Sequence, residues 1–255
     1  MSQMTDRLGL DGRTVFVTGA SRGLGRAIAR KMCASGGTVY LNYSRSEVAA
    51  KDALNELEPL PGNAIAVKGD VSEPDEFRRL LDQVRDRSGR LDVFVHNAAT
   101  FRPMSAISPD PAAFLAEQAL ALNPLLHGIG QLTELVAADG RIVVISSNGA
   151  AKVIPGYVAV GVAKAALENL ARYLAAELAG RGIAVNVIAT ALLDKGDEGS
   201  KVDEDLRRML AARTPAGRLT RPSDVADAVA LLCAPEAHWI HGQVLTVDGG
   251  LGLRA

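Results

Sequence analysis

The stretch "VFVTGASRGLGRAIA", residues 15–29, decides how the chain is read. A β-rich run ends in a turn carrying Gly19, Gly23 and Gly25, and a helical pattern follows. The spacing is G-x-x-x-G-x-G, which departs from the common dinucleotide fingerprint, yet the physics is related. Glycines let the backbone turn tightly and approach a pyrophosphate, while a helix N-terminus offers free N–H groups and partial positive charge. The candidates for cofactor contact in this turn are Gly19, Ser21, Arg22, Gly23, Leu24 and Gly25.

Outward from this turn, strand and helix patterns alternate to the end of the chain. The strand candidates are 14–19, 38–43, 64–70, 92–97, 141–147, 183–189 and 243–249. Most are nearly continuous in Val and Ile, as expected of parallel strands covered on both faces. Helical patterns such as "GRAIARKMCASGG", "DEFRRLLDQVRDRSG" and "KAALENLARYLAAELAGRG" lie between them. The second is entered through "SEPDE", read as a Ser cap followed by acids in the first turn. The third stops at Gly180 and Gly182. This rhythm predicts an α/β fold: a doubly wound parallel sheet of about seven strands with helices on both faces, in a single domain spanning 1–255. Residues 190–218 break the rhythm with charges and glycines after a strand's C-terminal end, which marks them as a candidate substrate lid.

Composition narrows the function classes. The chain has 255 residues, 48% of them apolar, and a formal charge of −1, so no global field recruits nucleic acid or an anionic membrane. Cys33 and Cys233 have no metal-ligand spacing, nor do His127, His238 and His241, and no metal is expected. The polar start and strand-sized apolar runs predict a soluble, cytoplasmic protein with no membrane span.

The second strand ends "LNYSRS", with no acid before Glu47 to hold the ribose hydroxyls of NAD. Arg22 and Arg45 stand there instead, and guanidiniums suit a 2′-phosphate, so NADP(H) is favoured over NAD(H). Asp70 at the end of the third strand and Val71 beside it are further cofactor candidates, Asp70 toward the adenine. Asn97 is expected to line the cofactor groove.

Taken together, "TGASRGLG", "HNAA" at 96–99 and "VDGG" at 247–250 resemble the short-chain dehydrogenase/reductase family, across essentially the whole chain. The resemblance implies a Rossmann-type reductase domain and a tetrad of Asn, Ser, Tyr and Lys. By position these fall on Asn123, Ser147 and Lys164, but the usual tyrosine, four before the lysine, falls on Val160. Tyr157 stands seven before Lys164, as in enoyl-acyl-carrier-protein reductases of the superfamily, and the local text is most similar to the NADPH-dependent type III. Lys164 would then also bind the cofactor. The family further implies a homo-oligomer, tetramer or dimer. His96 departs from the family's usual Asn, and Thr190-Ala191 from its usual Pro-Gly; the polar residue often placed near the carboxamide falls near Asp194 and Lys195.

The spacing has a chemical rationale. Residues seven apart on an α-helix lie on one face, about 10 Å apart along the axis; four apart would be about 6 Å. In enoyl thioester reduction hydride goes to the β-carbon while charge accumulates on the distant thioester oxygen. A donor moved by almost one turn suits that geometry, with Tyr157 as an oxyanion-hole group. The leading expectation is NADPH-dependent reduction of an enoyl thioester, on carrier protein or as a small molecule, in fatty acid biosynthesis. The alternatives are a ketone or imine reductase of specialised metabolism and a non-catalytic nucleotide-binding member.

Overall fold

A computed structural model describes residues 8–194 and 203–253. The strands are β1 (Thr14–Val17), β2 (Thr38–Tyr43), β3 (Asn63–Lys68), β4 (Leu91–His96), β5 (Val136–Ser147), β6 (Ala184–Thr190) and β7 (Val244–Val247). The helices are α1 (Gly23–Ala34), α2 (Glu47–Leu57), α3 (Pro74–Ser88), α4 (Pro111–Leu135), α5 (Val158–Leu178), α6 (Glu204–Arg213) and α7 (Pro222–Cys233). Among the described residues the seven strands form one parallel sheet in the order β3-β2-β1-β4-β5-β6-β7.

Strand alternation divides the apolar runs between two cores. In β1, Val15 and Val17 pack with Ile28 and Met32 of α1 and Val225 and Val229 of α7, on one face. Phe16 points to the other, among Phe77 and Leu80 of α3, Leu125 and Leu132 of α4 and Leu167 of α5. The Phe16, Phe77 and Phe94 rings meet there with centroids 5.9 to 6.4 Å apart. Each such fully buried side chain contributes roughly 1.5–3 kcal/mol, so this double burial outweighs any local preference of the strands. The chain winds outward from β1 to β3, then returns to β4 beside β1. That reversal opens a crevice at the C-terminal ends of β1 and β4, where ligands bind in open α/β sheets.

Two expectations are corrected here, and the candidate lid is described only in part. β5 starts at Val136 rather than 141, because the chain bulges between the pairs Leu91–Val136 and Val93–Arg141. Asp139 takes a left-handed conformation there (φ 66°), which Asp tolerates better than most side chains. Ser72 does not cap α3: Glu73 occupies the cap position ahead of Pro74, and the Ser72 hydroxyl instead donates to Asp70 Oδ1 at 2.7 Å. Of the segment 190–218, residues 195–202, with Lys195, lie outside the described residues, while residues 204–213 form α6. An Asp194–Arg207 ion pair joins that helix to the chain leaving β6. Among the described residues no helix is long and apolar enough to cross a membrane.

Candidate active site

The glycine turn is held by two asparagines from neighbouring strands. Asn42, buried in β2, accepts from the Gly19 N–H through Oδ1 (3.1 Å), and its amide donates to the Gly69 carbonyl (3.0 Å). Asn97, just past β4, donates from Nδ2 to the carbonyls of Thr18 (2.9 Å) and Gly19 (3.2 Å). Gly19 sits at φ 63°, a region that favours glycine. A Cβ at Gly25 would lie 2.3 Å from the Gly19 carbonyl and 2.6 Å from Asn97 Nδ2, so α1 packs against its own turn only without a side chain there. A Cβ at Gly23 would meet nothing within 4 Å. Open space thus lies over the first residue of α1, where amides without helical partners are free to bind phosphate oxygens, and the cradle fits a dinucleotide's pyrophosphate.

Arg22, at the cap of α1, and Arg45, just past β2, are both exposed, as are Ser46 and Glu47 beyond the strand. Arg45 lines a groove of about 460 Å³ with Ser44, Lys68, Asp70 and Arg79. Asp70 reaches that groove, but its Oδ1 already accepts from the Ser72 N–H at 2.9 Å, and Val71 is buried. Ser21 and Leu24 are half-buried in the turn.

On the far side of the crevice, β5 delivers Ser147 and α5 delivers Lys164. The loop after Ser147 is tied down from the C-terminal "VDGG": Asn148 Nδ2 donates to Asp248 Oδ2 at 3.1 Å, and Asp248 is buried and accepts from the Gly250 and Gly252 N–H groups. Tyr157 is the cap residue of α5 rather than part of its first turn, and its carbonyl accepts from Gly161 at 2.7 Å. Its ring packs over Gly149 and stands 5.4 Å from the Phe101 ring. The β4–α4 loop is fastened to it by Met104 N–H donating to the Gly156 carbonyl at 2.9 Å. Burial pushes the phenol pKa up, a Ser147 hydrogen bond opposes this, and the charge of Glu117 adds to the rise. The phenol is therefore protonated at neutral pH, a donor.

Lys164 is buried and donates from Nζ to the Ile145 carbonyl at 2.7 Å. Burial pushes its ammonium down to about 8, against the opposing pull of Glu117 and Glu168. Val160, at the position four before it, is buried and brings no titratable group. Asn123 turns away from this cluster, donating from Nδ2 to the Ser72 carbonyl at 2.7 Å, so its side chain ties α4 to the β3–α3 loop. Ser147 and Tyr157 are thus brought together, Lys164 shares with Tyr157 the influence of Glu117, and Asn123 points elsewhere.

Residues 19–252 match the family described as enoyl-(acyl carrier protein) reductase, within a parallel sheet that carries the glycine turn and the Tyr–Lys pair. The chain is a short-chain dehydrogenase/reductase. It is 37% identical over 243 residues to the 1-cyclohexenylcarbonyl-CoA reductase of Streptomyces collinus, covering 94% of this chain and 87% of that one. Its structure is similar to a short-chain dehydrogenase of Burkholderia cenocepacia in complex with NADP (TM-score 0.88, 31% identity, 95% of this chain and 99% of that one). It is also similar to the promiscuous reductase LugOII, which catalyses keto-reduction at C1 in lugdunomycin biosynthesis (TM-score 0.88, 29% identity, 96% and 99%).

In this short-chain dehydrogenase/reductase, three residues of the site escaped the sequence reading. Asn42 had a legible signal, a lone amide inside the otherwise apolar "TVYLNY". Glu117, only 6% exposed, is the one acid between Pro111 and Leu132 in α4, and receives a hydrogen bond from the Thr100 hydroxyl. Thr18 is the third: its hydroxyl oxygen accepts from the N–H groups of Asn97 and Ala98, both at 2.9 Å.

That leaves the Thr18 proton for His96 Nδ1 (3.2 Å), while Nε2–H donates to the Ala121 carbonyl at 2.8 Å. The imidazole is satisfied only when neutral, and burial followed by the Lys164 charge pushes its pKa down to about 4. The unfolded histidine binds its proton near pH 6.5 and the folded one only near 4. The stabilisation from keeping it neutral is therefore complete above 6.5 and is lost as pH falls toward 4, by about 3 kcal/mol. Urea unfolding at pH 7.0 and 4.5 is expected to show this loss, and His96→Asn to flatten it; equal slopes in both proteins would contradict a buried neutral imidazole.

Proposed function

We propose that this reductase uses NADPH to reduce the carbon–carbon double bond of an enoyl thioester. The observation that carries the reading is the protonated Tyr157 phenol, under the influence of the Ser147 hydroxyl, in a site where Val160 occupies the position four before Lys164. The reduced nicotinamide, when bound, supplies a hydride equivalent to the β-carbon. Tyr157 donates a hydrogen bond to the thioester oxygen, where negative charge accumulates, Ser147 orients the phenol, and a proton taken up from solvent at the α-carbon completes the saturated thioester. Lys164 keeps positive charge in a water-poor pocket and binds the nicotinamide ribose. Gly19, Gly23 and Gly25 hold the pyrophosphate, and Arg22 and Arg45 hold the 2′-phosphate. Exposed apolar side chains at the site mouth, Phe101, Val153 and Ile154, suit an acyl group. The Streptomyces collinus relative, named for reduction of a cyclohexenylcarbonyl thioester of coenzyme A, supports the same reading.

A ketone substrate is the second reading. The Tyr157 phenol and Ser147 hydroxyl would serve a ketone oxygen equally well, and the likeness to LugOII supports it. NADPH consumption with a crotonyl thioester, an acetoacetyl thioester and a simple ketone separates the two. Turnover of the crotonyl thioester is expected; turnover of ketones alone would replace the first reading with the second, and binding without turnover would remove both.

The 2′-phosphate assignment has its own check. Arg45→Ala is expected to weaken NADPH by roughly tenfold or more, the worth of a charge-assisted hydrogen bond, and NADH hardly at all. Equal losses for the two cofactors would rule out that role.

A further inference from the structure

We propose that Glu117 is the internal counter-ion of Lys164, acting across a small cavity that holds one water, and is therefore a positioning residue of the reductase site. The inference rests on Lys164 as the cation of that site and deepens it.

A carboxylate in the apolar helix text "PAAFLAEQALAL" has no ordinary reason to face inward, since an unpaired buried charge is strongly unfavourable. Glu117 is nevertheless buried, and Thr100 satisfies one of its oxygens. Glu117 and Lys164 both line a cavity of about 10 Å³, whose walls include Ala98, Ala121, Val160 and Ala163. That volume is about what one water requires, and Glu117 and Lys164 are the two charged residues in its lining. An ammonium has three donors, and among the described residues one goes to Ile145. Lys164 therefore keeps spare donors and Glu117 spare acceptor sites, and Val160, in the same lining, adds no polar atom to either.

The other charged groups around Lys164 do not replace Glu117. Glu168, one turn further along α5, accepts from the Ser146 hydroxyl at 2.6 Å and pairs with Arg172 at 4.0 Å, so its charge is partly spent elsewhere. His96 is neutral and Tyr157 protonated, so neither contributes a negative charge. Among the described residues Glu117 has no arginine or lysine within ion-pair distance, which leaves its field to the cavity. Glu117 is also the larger of the two influences that hold the Lys164 ammonium up against burial. Removing its charge would let burial prevail and leave the lysine neutral over more of the physiological range.

The test is a titration of the cofactor-free protein carrying lysines labelled with ¹³C at Cε, the Lys164 signal being the one lost in Lys164→Arg. Its midpoint is expected near 8 in the parent protein. In Glu117→Gln it is expected to fall by about one pH unit or more, and in Glu117→Asp by much less. Glu117→Leu gives a second route to the same reading, since an apolar side chain of similar volume often replaces a buried charge without loss of stability. A midpoint unchanged in either uncharged variant overturns the proposal. Because no substrate is present, the titration stands or falls independently of which thioester or ketone the enzyme reduces.

Discussion

Tyr157→Phe is expected to lower turnover of a crotonyl thioester by about 10²- to 10³-fold while NADPH binding stays within about twofold. The change deletes one oxygen and keeps the ring, which packs over Gly149 and beside Phe101, so the site's shape survives. What disappears is the donor for charge developing on the thioester oxygen, an interaction stronger in the transition state than in the ground state. The loss should therefore fall on kcat more than on KM. Single-turnover measurements at saturating NADPH would isolate this step. Undiminished turnover in the phenylalanine variant would remove Tyr157 from the mechanism and, with Val160 apolar, leave the site without a phenolic donor.

Gly25→Ala is expected to weaken NADPH by roughly a hundredfold, about 3 kcal/mol, and to lower stability by about 1–3 kcal/mol. The added methyl would stand 2.3 Å from the Gly19 carbonyl, 2.6 Å from Asn97 Nδ2 and 2.9 Å from the Ala20 Cα. Two of those three atoms are backbone of the same glycine turn, so relief requires α1 to move away from the loop it must support. Moving it separates the helix amides from the turn that presents them to a pyrophosphate. Gly180→Ala, where a Cβ meets nothing within 4 Å, is the tolerated control. Cofactor titration by NADPH fluorescence, with thermal melts of both variants, checks the prediction. Unaltered binding in Gly25→Ala would mean that the turn is not the pyrophosphate cradle.

The contrast between these two positions explains what was readable early. Gly25 belongs to a strand–turn–helix unit contained in fifteen consecutive residues, so spacing and residue type identified the turn and the fold around it. Lys164 stood out because an ammonium in "VGVAKAAL" has no solvent-facing pattern to belong to. Ser72 misled for the opposite reason. A serine before a helix is a good cap by composition, but Asp70 two residues earlier offered its hydroxyl a better acceptor. Asn123 was assigned by family position, and only the packing of α4 against the β3–α3 loop turned its amide to the Ser72 carbonyl.

From the amino-acid sequence alone came the parallel α/β sheet, the glycine turn at its crevice and the placing of Tyr157 and Lys164 seven residues apart at the start of one helix. Each of these depends on period, spacing or local text, which a linear chain carries intact. Tertiary structure alone decided that Glu117 and Lys164 line one cavity, that Asn42 holds Gly19 and that His96 is kept neutral between Thr18 and Ala121. Whether a buried polar group is partnered depends on the element packed against it. Here those partners arrive from 23 to 78 residues away, where no local pattern reaches.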